Sequence, residues 1–93
     1  MAKYLLVHPV GSGIDMEPAV PTLKLLKSKL NADAYWLKSW YSDEQGVMYC
    51  LWDAGSKEAI SKMVKEVLTA TGYPLPVEGP YKIDVAIDSE DFR

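Results

Sequence analysis

The sequence predicts an α+β fold with the element order β-α-β-β-α-β, and three observations support this prediction. An aromatic hairpin occupies the centre of the chain. It lies between two segments that have the apolar spacing of amphipathic helices. Two further apolar, strand-like segments lie near the ends of the chain. This order is typical of the split-βαβ, or ferredoxin-like, arrangement, in which a four-stranded antiparallel sheet carries both helices on one face.

Short-range signals set the expected bounds of the elements. The first helix is expected to begin near Val20, because a proline is tolerated in the first turn and leucines follow at helical spacing up to Leu30. Ser56 is a good N-cap for the second helix, which Gly72 ends. The expected strands are rich in aromatic and branched residues and span residues 3–8, 34–42, 47–52 and 81–87.

Length and composition bound the class of protein. The 93 residues predict one domain, residues 1–93, and a net charge of −3 without a basic stripe argues against nucleic acid as a partner. A single cysteine cannot form an internal disulfide, which predicts a cytoplasmic location. The apolar run near the N-terminus is too short for a signal peptide or a membrane span, so no membrane partner is expected.

Strand alternation sorts the aromatic hairpin into two faces, provided that its turn pairs Ser42 with Val47. The more apolar face is expected to pack on the helices and holds Tyr35, Leu37, Ser39, Tyr41, Met48, Cys50 and Trp52. The open face mixes aromatic rings with a cation and holds Trp36, Lys38, Trp40, Tyr49 and Leu51. We expect His8 on this open face as well, since Leu5 and Val7 are the better core pair.

The open face predicts that the protein is a homodimer. An exposed apolar patch of this size is a liability for a soluble monomer and usually marks an interface. Two sheets packed face to face would bury it and form a dimeric α/β barrel.

The expected site is a cleft for a small ligand or a metal ion, and its candidate residues are His8, Trp36, Lys38, Trp40 and Tyr49. Two interpretations of the rings stay open, because they suit either a flat apolar ligand or the packing surface of a dimer. Lys38 is either half of an interface ion pair, with Asp53 or Asp84, or the anchor for an anionic ligand.

Three further features have both a chemical and a structural interpretation. His8 is the single histidine and could act as a general base or metal ligand, or could simply close a strand end. Cys50 is expected to be a buried, neutral thiol rather than a nucleophile. The loop at residues 11–13 lacks the lysine of a phosphate-binding loop and is expected to be a flexible connection.

The hairpin and its surroundings resemble a known family. The pattern runs from Trp36-x-x-Ser39-Trp40 through a short acidic turn to Tyr49-Cys50-x-Trp52-x-Ala54, and continues with an acidic helix and a bend at Gly72-Tyr73-Pro74. It is similar to a family of small ferredoxin-like proteins of unassigned function, one branch of which binds nickel. The resemblance implies the same fold, and nickel as a possible cofactor. This chain has Lys38 where members commonly have a histidine, and no histidine in the second helix.

Three functions follow as hypotheses. The first is a small homodimeric protein without catalytic machinery that binds a ligand in a cleft between sheet and helices. The second, by analogy with other dimeric α/β barrels, is a cofactor-independent monooxygenase with His8 or Lys38 as the proton carrier. The third is nickel binding, with His8 as a metal ligand and further ligands from Asp15, Glu17 or the dimer partner.

Overall fold

The structure is a computed structural model that describes residues 1–92, so the last residue of the expected domain lies outside the described residues. Six main elements follow one another: β1 (Ala2–His8), α1 (Val20–Lys29), β2 (Ala34–Ser42), β3 (Val47–Ala54), α2 (Lys57–Thr71) and β4 (Glu78–Ile83). Short 3-10 turns precede α1 and follow β4, at Glu17–Ala19 and Ser89–Phe92. The α+β, ferredoxin-like prediction is confirmed.

All strand pairs are antiparallel, and the sheet has the order β2-β3-β1-β4. Ser42 pairs with Val47, as the turn predicts. Both helices pack on one face, where Tyr4, Leu6 and Trp52 of the sheet meet Ile60, Met63 and Val64 of α2. Leu26 and Leu30 complete this core from the side of α1. Within residues 1–92 no helix has the length and apolar character needed to cross a membrane.

The bounds of α2 follow from its two ends. The Ser56 side chain accepts a hydrogen bond of 3.2 Å from the Ala59 N–H, which satisfies a donor that the first turn leaves free. At the other end, Gly72 has a φ of 69° and its N–H donates to the Leu68 carbonyl. Both signals were readable in the sequence, and α2 begins and ends where they place it.

The last strand differs from the expected residues 81–87. It begins at Glu78 and ends at Ile83, so Val85 and Ile87, which fall within the expected strand, lie beyond it and are 74% and 76% exposed. The reason is the pairing partner: Ile83 lies opposite Lys3, and β1 begins one residue before Lys3. An edge strand beyond this point has no neighbour to hydrogen-bond, so the apolar alternation continues without a sheet to join.

Candidate functional site

His8 lies on the helix-covered face of the sheet, and the expectation that it faces outward is wrong. Side chains alternate along β1, so His8 shares a face with Tyr4 and Leu6, and all three are buried. Tyr4 and Leu6 bring more apolar surface into the core than Leu5 and Val7 would. His8 is only 2% exposed, and its Nδ1 lies 2.8 Å from the Pro76 carbonyl oxygen, which offsets the cost of burying a polar ring.

Trp36 also faces the helices, which contradicts the expected open-face position. Trp36 lies opposite Trp52, whereas Lys38 lies opposite Leu51, the next residue back along β3. The extra residue in β2 is Leu37, so the strand contains a β-bulge. Because the bulge shifts the alternation by one position, Trp36 and Ser39 lie on the same face although they are three residues apart.

The bulge is linked to β3 by a short chain of hydrogen bonds. The Trp36 indole N–H donates to the Ser39 hydroxyl at 2.8 Å, and that hydroxyl donates to the Cys50 sulfur at 2.9 Å. Cys50 faces the helices, as expected. Burial raises the pKa of its thiol, and the hydrogen bond from Ser39 opposes this shift more weakly. The thiol is therefore neutral at pH 7 and unsuited to nucleophilic attack.

These side chains border an enclosed cavity of about 50 Å³ between the sheet and the two helices. A second recess of about 130 Å³ adjoins it and shares Leu23, Trp36, Ser39 and Met48 as common walls. Most of the cavity lining is aliphatic or aromatic; its residues are His8, Thr22, Leu23, Leu26, Trp36, Ser39, Met48, Cys50, Trp52, Val64, Val67, Leu68 and Leu75.

The hydrogen bond to Pro76 fixes the proton on His8. A carbonyl oxygen only accepts, so Nδ1 carries the hydrogen in this contact. Burial lowers the pKa of His8 from its ordinary value of 6.5, and the Pro76 hydrogen bond opposes the shift without cancelling it. The ring is therefore neutral at pH 7, and Nε2 keeps a free lone pair.

Nε2 is reachable although His8 is buried. Within residues 1–92 the contact with Pro76 is the one hydrogen bond of this ring. The single buried side-chain nitrogen or oxygen without a hydrogen-bond partner in the described chain is Asp53 Oδ1, so Nε2 is not sealed off from a water-sized molecule. His8 borders the cavity and Pro76 does not, so we place the Nε2 edge of the ring at the cavity.

Acidification is expected to destabilise the protein through His8. The folded state holds the pKa below 6.5, so as the pH falls below about 6.5 the unfolded chain binds a proton that the folded chain does not. The free energy of unfolding then decreases with falling pH until the folded pKa is passed. Urea unfolding of the protein and of His8→Gln between about pH 7.5 and 5.5 measures this. A pH slope that is the same in both proteins would contradict it.

The other three candidate residues lie on the opposite, open face. Trp40 is opposite Tyr49 on the neighbouring strand, and the Lys38 ammonium lies 5.3 Å from the centre of a Trp40 ring. The carboxylates expected near Lys38 have other partners within the chain: Asp53 lies 3.4 Å from Lys3, and Asp84 3.9 Å from Lys82. The structure thus brings His8 and Trp36 together at the cavity, whereas Lys38 and Tyr49 border neither the cavity nor the recess, and Trp40 borders only the recess.

The loop at residues 11–13 is held against the hairpin turn rather than free. The Ser12 hydroxyl donates to the Asp43 carbonyl and the Gly13 N–H to the Asp43 carboxylate, both at 2.7 Å. The Tyr41 hydroxyl donates to the Gly11 carbonyl, also at 2.7 Å. Gly46 permits this approach, since a Cβ there would lie 2.9 Å from the Gly11 backbone. Tyr41 also borders the recess, so the contact fixes one of its walls.

Comparison with known proteins identifies the family. The sequence profile described as nickel responsive protein SCO4226-like matches residues 4–71. The chain belongs to this family. The crystal structure of SCO4226 from Streptomyces coelicolor A3(2) is similar, with a TM-score of 0.65 and 17% identity, over 92% of this chain and 100% of that one. This likeness concerns the fold. A comparison with curated proteins finds no match.

The SCO4226-like profile confirms the resemblance that the hairpin indicates. The profile begins in β1 and ends with α2, so it includes the cavity residues from His8 to Leu68. Leu75, which borders the cavity, and Pro76, which fixes the His8 ring, lie outside it. Sequence reasoning missed Ser39 and Pro76 as parts of the site. Trp36-x-x-Ser39 was a visible signal for the first, whereas the second contact joins residues 68 positions apart.

Proposed function

We propose that this SCO4226-like protein binds a small, mostly apolar molecule in the cavity between sheet and helices. The observation that carries the proposal is the combination of a nearly apolar lining with one polar atom, His8 Nε2, that has no partner in the described chain. Ligand sites are commonly apolar with a few placed polar groups. The cavity of about 50 Å³ and the adjoining recess of about 130 Å³ together exceed the roughly 150 Å³ of an apolar cavity that holds benzene, so one aromatic ring that occupies both spaces is a suitable size.

A larger groove supports a ligand site less well. It has a volume of about 580 Å³ and lies between α2 and the segment at residues 73–77. Its walls are open to solvent, and among the described residues that line it there is no histidine or cysteine. A ligand in this groove would stay largely exposed to water, whereas a ligand in the enclosed cavity would be buried.

Toluene is a suitable first probe, because it is apolar and the size of a single ring. We expect it to raise the melting temperature in proportion to the logarithm of its concentration. A concentration of about ten times its Kd would add about 1.4 kcal/mol, which is several degrees for a chain of this length. Benzoate at the same concentration serves as the control for solvent effects, because no lysine or arginine among the described residues lines the cavity to pair with its charge. No stabilisation up to the solubility limit of toluene would contradict the proposal.

We also propose that the protein is a homodimer that joins through its open sheet face. That face carries Leu5, Val7 and Leu51 at its centre, with Trp40 and Tyr81 on the outer strands, 45% and 53% exposed. Each of these rings leaves about 100 Å² to water, since a whole aromatic side chain presents roughly 200 Å². With the aliphatic residues the patch reaches the few hundred Å² typical of interaction sites.

A second copy is the occupant that this face suits best. A standard interface takes about 800 Å² from each partner, and the exposed Val85 and Ile87 beyond β4 would extend the contact. When a two-fold axis relates two copies, the same open face of each copy forms the interface. Sedimentation velocity tests this: we expect twice the chain mass of 10.4 kDa, and a monomer for Leu51→Lys but not for the surface control Lys24→Glu. A monomeric parent protein would contradict it.

Nickel, which the family description suggests, does not fit the described residues of one chain. Within residues 1–92 no three His, Cys, Asp or Glu side chains lie close enough to hold a metal ion together. Asp15 and Glu17, expected to converge on His8, are exposed, while His8 is buried beneath the helices. In the proposed dimer, the second copy packs on the sheet face opposite to the one that carries His8. We therefore propose an organic ligand for this cavity rather than nickel.

A further inference from the structure

We propose that the cavity selects neutral molecules that donate one hydrogen bond, such as a phenol or a small alcohol, with His8 Nε2 as the acceptor. This inference rests on the proposed ligand site and adds the chemical class of its ligand. The acceptor follows from geometry: Nδ1 is 2.8 Å from the Pro76 carbonyl, so it must carry the hydrogen, and Nε2 keeps its lone pair.

Three other polar groups at the cavity already have partners. The Trp36 N–H donates to Ser39, and the Ser39 O–H donates to the Cys50 sulfur. The Thr22 hydroxyl donates to the hydroxyl of Thr71 at 3.1 Å. These three donors are thus engaged, and Nε2 remains as a free acceptor. A ligand that brings its own donor satisfies Nε2.

Charge excludes the alternative classes. Among the described residues that line the cavity there is no lysine, arginine, aspartate or glutamate. An anion would lose its hydration without gaining a cation, and an ammonium would find no carboxylate. A neutral molecule pays neither cost, and its apolar part packs against Leu23, Met48 and Val67.

Phenol and toluene form a matched pair of probes, because the two molecules differ by a hydroxyl in place of a methyl group. We expect phenol to bind roughly 3- to 10-fold more tightly, the advantage of one net hydrogen bond. The chain has a single histidine, so the two ring nitrogens give one unambiguous pair of ¹⁵N signals. Phenol is expected to move the Nε2 signal towards the value of a hydrogen-bonded nitrogen, while toluene leaves it in place and Nδ1 stays protonated with both.

The outcomes separate this inference from the proposed function. Toluene binding as tight as phenol binding, with an unmoved Nε2 signal, would overturn the ligand class and leave the cavity as an apolar site. No binding of either probe would overturn both proposals. In His8→Gln, whose amide N–H can still reach the Pro76 carbonyl, we expect phenol to lose its advantage over toluene. The experiment on the parent protein decides the matter even if this variant fails to fold.

Discussion

Replacing Trp52 by alanine is expected to lower the free energy of unfolding by about 3–5 kcal/mol, the usual range for removing a large buried aromatic side chain. Trp52 is 1% exposed and lies at the centre of the sheet, opposite Tyr4 on one side and Trp36 on the other. Ile60 and Met63 of α2 belong to the same core. The removed ring would leave a cavity that neither strand can close.

Urea unfolding followed by circular dichroism measures this loss. Phe92→Ala is the matched control, because it also removes an aromatic ring but at a position that is 77% exposed. We expect that control to change the stability by less than about 0.5 kcal/mol. A Trp52→Ala protein with the stability of the control would show that the core is not organised around this ring.

Replacing Cys50 by leucine is expected to abolish toluene binding while the protein stays folded. Leucine adds bulk to the wall of a cavity of only about 50 Å³ and removes the sulfur that accepts the Ser39 hydrogen bond. The lost acceptor costs about 1 kcal/mol, and overpacking costs about 1–3 kcal/mol more. These costs weaken the fold, but filling the cavity leaves only the recess of about 130 Å³, which is smaller than the roughly 150 Å³ of an apolar cavity that holds benzene.

Leu51→Phe is the control for this variant. Leu51 is the next residue of β3 and points to the opposite face of the sheet, so its enlargement leaves the cavity unchanged. We expect Leu51→Phe to bind toluene with the affinity of the parent protein, measured by the shift in melting temperature. Undiminished binding by a folded Cys50→Leu protein would place the ligand elsewhere.

The elements that the sequence predicted well are those set by local chemistry. The Ser56 cap and the Gly72 stop act within one turn of α2, and the structure has both where the sequence places them. The alternation of Met48, Cys50 and Trp52 in β3 also held, because this strand has neighbours on both sides that keep its register. Together these signals sufficed for the element order and hence for the ferredoxin-like fold.

The parts that sequence reasoning missed depend on contacts between distant residues. The bulge at Leu37 moves Trp36 to the helix side, and no glycine or proline marks it in the sequence. His8 is buried because the Pro76 carbonyl, 68 positions away, accepts its hydrogen bond. The strand after Pro80 stops where β1 no longer offers a partner. Two of the five expected site residues therefore border the cavity, and the other three lie on the open face.

The central claim is that the ligand site lies under the helices and not on the open face, and the tryptophans test it directly. The chain has three, so its ¹H–¹⁵N spectrum contains three indole N–H signals. Trp36 borders both the cavity and the recess, Trp52 borders the cavity, and Trp40, which is 45% exposed on the open face, borders the recess. During a toluene titration we expect the Trp36 signal to shift most, because Trp36 borders both spaces. A shift of Trp40 with Trp36 unchanged would contradict the account and return the ligand to the open face.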